Sequence, residues 1–190
     1  MKETQALECC IQTACLLDYL HSLPVQIIHG DVKPLNVMWH QGRISLLDFG
    51  TAAMQRLSSN CDRGGFAWTP GYAAPELAEK GQVSAGCDIY ALGALLFYLV
   101  TGFSPAHERG IFPVREENAR LSKSLETIIL KCTERDASKR YRSMKEVIDG
   151  LEQCRAKSRD KFLVECGLKS EKKSRKTFRI IHTLLLTEGE

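Results

Sequence analysis

Two short stretches hold side chains whose types suit one chemistry. His29-Gly30-Asp31-Val32-Lys33-Pro34-Leu35-Asn36 places a carboxylate, a cation and a carboxamide within one octapeptide, and Asp48-Phe49-Gly50 adds a second carboxylate shortly after it. That set matches the needs of phosphoryl transfer. Asp31 is placed to serve as base or orienter for an attacking hydroxyl, and Lys33 to balance charge on the transferring phosphoryl group. Asn36 and Asp48 are hard oxygen donors of the kind Mg2+ takes, usually one or two protein groups beside phosphate oxygens and water. The plainer alternatives are a turn-forming role for Asn36 and Asp48 and a structural cap at Asp31. His29 reads as structural, a histidine packed under the loop.

These residues need a frame. Leu7, Cys10, Ile11, Ala14, Leu17 and Leu20 recur at helical spacing and predict an amphipathic helix over Glu3 to Leu20, ended by Pro24. The apolar runs VQIIHG and RISLLDFG bracket the polar, Gly- and Pro-containing DVKPLNVMWHQG and predict short strands around loops. Residues 50 to 75 are rich in Ser, Gly, Asp and Asn, with little periodicity, and predict a long functional loop. Further helices are expected from near Ala74, over the apolar run 88 to 100, over Leu121 to Thr133, and over Ser143 to Cys154. The last opens with Ser143 and Glu146 in a capping-box spacing. The run Ile89 to Val100 is all apolar but much shorter than the ~20 residues that span a bilayer, which predicts a buried central helix.

With 190 residues, 44% hydrophobic and 26% charged, the chain is excluded from the disordered and collagen-like classes. Its net charge of +3 gives no case for nucleic acid. The charge is uneven, however: residues 156-190 hold nine Lys or Arg against five Asp or Glu, a basic tail on a nearly neutral body. The run KKSRK reads as a solvated tail, with contact to a membrane surface or partner as the alternative. The eight cysteines show no CxxC pair and no regular framework, which points to reduced thiols. No signal pattern opens the chain, so a cytoplasmic location is expected.

Taken together, these motifs resemble those of eukaryotic-type protein kinases of the serine/threonine class. The octapeptide resembles the catalytic loop and Asp48-Phe49-Gly50 the metal-binding tripeptide. Ala74-Pro75-Glu76 resembles the end of the activation segment, preceded by WTPGY as a substrate-docking loop. Asp88 resembles the buried aspartate that anchors the catalytic-loop backbone, and Arg140 the arginine that pairs with the glutamate of A-P-E. These motifs occur in family order between His29 and Arg140.

The resemblance implies a mainly α (α+β) fold, the kinase-like C-terminal lobe, helical with short β-hairpin elements around the catalytic loop. It would cover 1-155, with 156-190 as the basic C-terminal tail. It implies ATP and Mg2+ as cofactors and transfer to Ser/Thr hydroxyls of a protein substrate. Asp31, Lys33 and Asn36 are then catalytic, Lys33, Asn36 and Asp48 bind the cofactor, and Asn36 and Asp48 hold the metal. Thr69, Ala74, Pro75 and Glu76 belong to the activation segment and substrate docking, with Thr69 near Asp31 and Lys33. His29, Asp88 and Arg140 give structural support. Gly30 stands where many kinases carry an arginine that receives an activation-loop phosphate, so phosphorylation of Ser58, Ser59 or Thr69 is not expected to activate in the usual way.

The H-G-D triplet also resembles small-molecule phosphotransferases of the aminoglycoside and choline kinase type, which lack this activation segment. No Gly-rich loop, β3 lysine or glutamate partner is found in the 190 residues, so weak or no transfer by the isolated chain is expected. A non-catalytic docking module, or a separate chain that completes the ATP pocket, are the competing expectations.

Overall fold

The computed structural model describes residues 1–48 and 68–165. Phe49, Gly50, Ser58, Ser59 and the KKSRK run lie outside the described residues. Met1–Ala156 forms one compact unit and Lys157–Glu190 a second.

Helix α1 (Glu3–Ser22) follows the predicted stripe and buries Leu7, Cys10, Ile11, Ala14 and Leu17. It stops one residue short of Leu23, whose backbone is extended before Pro24. A two-stranded antiparallel sheet follows, β1 (Val37–His40) and β2 (Arg43–Leu46), with Trp39 opposite Ile44. Gln41 and Gly42 join the strands, both with positive φ (49° and 77°), as a tight two-residue hairpin turn requires. Gln12 of α1 closes the hairpin from outside. Its Oε1 accepts the Ile44 N–H at 3.0 Å, and its Nε2 donates to the Gly42 carbonyl at 3.0 Å.

The predicted strand at VQIIHG is not formed. Residues 25–30 are not in a strand; among the described residues the strand opposite RISL is Val37-Met38-Trp39-His40, inside the segment expected to be loop. The reason lies in the hydrogen bonds. The N–H groups of His29 and Gly30 are taken by the Asp88 carboxylate, so the apolar run is held by a side chain rather than by a neighbouring strand.

Helix α2 (Pro75–Lys80) starts on proline, which suits a first helical position. Helix α3 (Ala85–Thr101) is the central element, burying Ile89, Leu92, Leu95, Leu96 and Phe97 among others. It packs along both α1 and α4 (Lys123–Cys132). Gly93 makes the second contact close: a Cβ there would lie 2.5 Å from the Cys132 Cβ and 2.8 Å from the Thr133 methyl. Phe97 meets Phe112 edge to face at 5.1 Å, a favourable aromatic geometry. Helix α4 is capped by Ser122, whose hydroxyl accepts the Leu125 N–H at 3.1 Å.

Helix α5 (Met144–Glu165) runs past the expected end at Cys154. Its predicted cap is present: Ser143 Oγ accepts the Glu146 N–H at 3.3 Å. The reciprocal bond goes one residue further back than the usual box, from the Arg142 N–H to Glu146 Oε2. The fold is thus mainly helical with a small antiparallel hairpin beside the octapeptide. No helix among the described residues is long and apolar enough to cross a membrane.

Candidate active site

The octapeptide is wrapped around two buried polar side chains. Asp88, fully buried near the start of α3, accepts the His29 N–H on Oδ2 at 2.9 Å and the Gly30 N–H on Oδ1 at 2.8 Å. Gly30 has φ 78°, a left-handed conformation that glycine adopts without steric cost. His29, also fully buried, then links three parts of the loop. Its Nδ1 accepts the Asp31 N–H at 3.3 Å, which leaves Nε2 as the donor to the Leu47 carbonyl at 3.1 Å.

Asp31 is the centre of the cluster and is 8% exposed. Lys33 Nζ lies 2.6 Å from its Oδ2, and Thr69 Oγ1 donates to its Oδ1 at 2.8 Å. Lys33 Nζ also donates to Thr69 Oγ1 at 2.8 Å, which closes a triangle of carboxylate, ammonium and hydroxyl. Asn36 Nδ2 donates to the Asp31 carbonyl at 2.8 Å and to Asp31 Oδ2 at 3.1 Å. With its amide hydrogens committed to Asp31, Asn36 turns its Oδ1 the other way.

Asp48 reaches the same loop through its neighbour. The Leu47 N–H donates to the Asn36 carbonyl at 2.9 Å, while the Leu47 carbonyl holds the His29 ring. Asp48 follows with φ 60° and an exposed side chain. The oxygen donors that could hold a divalent cation are therefore a carboxamide and a carboxylate, without sulfur or imidazole. That donor chemistry fits Mg2+.

Thr69 is delivered by a tight turn. The N–H groups of Tyr72 and Ala73 both donate to its carbonyl at 3.1 Å. Gly71 lets the turn press on a neighbouring loop: a Cβ there would lie 2.4 Å from the Ala106 nitrogen. Tyr72 is buried beside it, and burial, with the nearby Tyr98, pushes its hydroxyl up to about 12.

Ala74 is fully buried and Pro75 opens α2, so Glu76 projects from that helix's first turn. Arg140, 3% exposed, forks onto Glu76 with bonds of 2.6 and 2.7 Å. Its other donors go to the carbonyls of Glu134, Gly86 and Arg135, so all five N–H groups are used. Burial pushes the Glu76 carboxyl up; the hydrogen bonds and charge of Arg140, its own backbone N–H and the Cys87 thiol outweigh this and hold it below the ordinary 4.5.

Asp31, Lys33, Asn36, Thr69, His29 and Asp88 thus form one bonded cluster, with Asp48 joined through Leu47. Glu76 and Arg140 form a separate clamp at the foot of the turn that carries Thr69. Two participants had no place among the sequence candidates. His21 Nε2 lies 2.7 Å from Asp88 Oδ2, and the Cys87 thiol donates toward Glu76 Oε1 at 3.7 Å. His21 carries a signal in hindsight: four residues beyond Leu17, it continues the apolar stripe of α1 with a polar side chain.

Comparison with known proteins agrees with this geometry. The family model for the protein kinase domain matches residues 1–183. Serine/threonine-protein kinase PrkC of Bacillus subtilis is 32% identical over 140 residues, covering 67% of this chain and 22% of its own length. Serine/threonine-protein kinase B of Synechocystis is 35% identical over 152 residues, covering 72% and 26%. Human mitogen-activated protein kinase kinase kinase 7 is 30% identical over 159 residues, covering 75% and 25%. The chain spans about a quarter of the length of these curated relatives.

Proposed function

The chain belongs to the protein kinase family, and on that premise we propose that it carries the residues that transfer the γ-phosphoryl group of ATP to serine or threonine hydroxyls of a protein substrate, with weak transfer by these 190 residues alone. The triangle of Asp31, Lys33 and Thr69 carries the proposal. An aliphatic hydroxyl sits there between a carboxylate that accepts its proton and an ammonium that faces its oxygen. A substrate hydroxyl needs the same two partners.

Each carboxylate oxygen can accept two hydrogen bonds. On Asp31, Oδ2 receives Lys33 and Asn36, whereas Oδ1 receives Thr69 and keeps a second position. The incoming hydroxyl donates to that position, which orients its oxygen for attack and gives the proton a place to go. Lys33, already within reach of a hydroxyl oxygen, offsets negative charge on the transferring group. Asn36 Oδ1 and Asp48 would hold Mg2+, which supplies charge neutralisation on the phosphates when bound. Arg140, Glu76 and Gly71 keep the docking turn in place so that Thr69 stays on Asp31. The buried thiols Cys9, Cys10, Cys87 and Cys132, unoxidised among the described residues, fit a reducing compartment, and we place the protein in the cytoplasm.

Incorporation of labelled phosphate from Mg-ATP into a Ser/Thr protein substrate should fall by about 100-fold or more in Asp31→Asn, the range for loss of a positioned acid or base. Equal incorporation by the two proteins would overturn the proposal. Incorporation by neither, with nucleotide still bound, would favour a non-catalytic docking module.

A further inference from the structure

The turn that carries Thr69 rests against a surface loop with no regular structure of its own. Residues 102–113, between α3 and a short turn at Val114–Glu116, form neither helix nor strand. The two backbones meet closely: a Cβ on Gly71 would stand 2.6 Å from the Pro105 carbonyl carbon and 2.4 Å from the Ala106 nitrogen. Whatever fixes this loop therefore fixes one wall of the Thr69 turn.

We propose that Arg109 is a positioning residue for the Thr69 turn, holding the loop against which that turn rests. Its guanidinium carbon lies 4.0 Å from the centre of the Phe112 ring, and its two terminal nitrogens donate to Glu116 Oε2 at 2.9 Å and Glu117 Oε1 at 2.8 Å. Phe112 belongs to the loop yet is only 7% exposed, with Phe97 of α3 edge to face at 5.1 Å and Phe103 at 6.0 Å. One ring thus joins Arg109 to the core. The carboxylates are anchored separately: Val114 beside them is fully buried, and Glu126 of α4 takes the Arg115 N–H at 2.9 Å.

A single exposed ion pair contributes little. One guanidinium shared by two carboxylates and an aromatic face is a network, and a single geometry satisfies all three. From Arg109 the path to Gly71 is short. The Gly110 N–H donates to the His107 carbonyl at 2.7 Å and the His107 N–H to the Ser104 carbonyl at 2.9 Å, so Arg109 sits in the same pair of tight turns that presents Ala106. The functional part of this inference rests on the Thr69 turn docking the substrate, as proposed above.

Amide hydrogen exchange is read at Tyr72 and Ala73, whose N–H groups close the Thr69 turn, and referred to Leu95 and Phe97 in α3. In Arg109→Ala the two turn amides should exchange about fivefold faster or more with the α3 amides unchanged, while Arg109→Lys, which keeps a cation over the ring, should stay within about twofold of the wild type. Equal exchange in wild type and Arg109→Ala overturns the proposal, as does Arg109→Lys behaving like Arg109→Ala. Gly71→Ala tests the route, because its methyl has no room beside Ala106 and parts the turn from the loop. Adding Arg109→Ala to Gly71→Ala should then change Tyr72 and Ala73 by less than about twofold, and additive effects overturn the proposal. If Arg109→Ala does not fold, Glu116→Gln with Glu117→Gln releases the guanidinium from its other side and is judged by the same expectation.

In the transfer assay, Arg109→Ala should raise the protein-substrate KM about threefold or more at unchanged kcat; an unchanged KM overturns the link to docking. A wild-type chain without transfer counts against the proposed kinase function, and amide exchange still judges Arg109.

Discussion

Two arginine–glutamate pairs join the same two stretches of chain, α2 and the segment after α4, and they differ in their access to water. The side chains of Arg140 and Glu76 are 0% and 14% exposed, while those of Arg135 and Glu79 are 80% and 56% exposed. At the shortest contact the pairs look alike, 2.6 and 2.7 Å. Their surroundings do not. Arg140 satisfies every donor, lies 5.1 Å from the Tyr90 ring centre and donates to both oxygens of its partner. Arg135 offers one direct bond to one oxygen, in full contact with solvent. Contact distance alone therefore says little about what an ion pair contributes. The buried pair is costly to break from one side because the remaining charge is stranded, whereas the exposed pair can be replaced by water.

The largest expected effect is in Arg140→Met. Removing one partner of a buried pair costs about 3–5 kcal/mol, so urea unfolding should show a loss of that order; a loss under about 1 kcal/mol would erase the contrast with Arg135. Arg140→Lys sharpens it. Lysine keeps the charge but cannot reproduce the fork or reach all three carbonyls, and a loss of about 2 kcal/mol is expected. A neutral result would mean that charge alone carries the clamp.

Acid titration gives a third, smaller effect. The Glu76 carboxyl lies below its ordinary 4.5 in the fold, so its contribution is complete above that value and is lost as pH falls through the lower folded value. The stability of Arg140→Met should therefore fall less steeply with acid than that of the wild type over this range. Parallel curves would show that Arg140 does not set the ionisation of Glu76. Last, Arg135→Ala should change stability by no more than about 0.5 kcal/mol, and a change above 1.5 kcal/mol would place the exposed pair in the same class as the buried one.

Much of this arrangement could be read from the residues because its signals are local. Helix α1 follows from the stripe Leu7 to Leu17, α3 from a run apolar on every face, and the octapeptide keeps Asp31, Lys33 and Asn36 within one turn of chain. What could not be read was decided by partners far away in sequence. VQIIHG has the composition of a strand, yet Asp88, some 58 residues away at Gly30, takes the donors a ladder would have used. Cys87 gives no sign in the sequence that its thiol faces Glu76, since that contact depends on α2 turning back over the start of α3. His21 stood between the two cases: its place on the stripe was visible, but its partner was not.

Gln12 has a consequence for how molecules of this protein behave together. A two-stranded ribbon ordinarily offers outward N–H and C=O groups on which a strand from another copy can build, the usual start of edge-to-edge aggregation. By accepting from Ile44 and donating to Gly42, the Gln12 carboxamide acts as a single peptide unit of a third strand that stops after one residue. It occupies the edge without extending it. One neutral side chain on α1 thus helps keep the hairpin beside the octapeptide from becoming a seam for self-association.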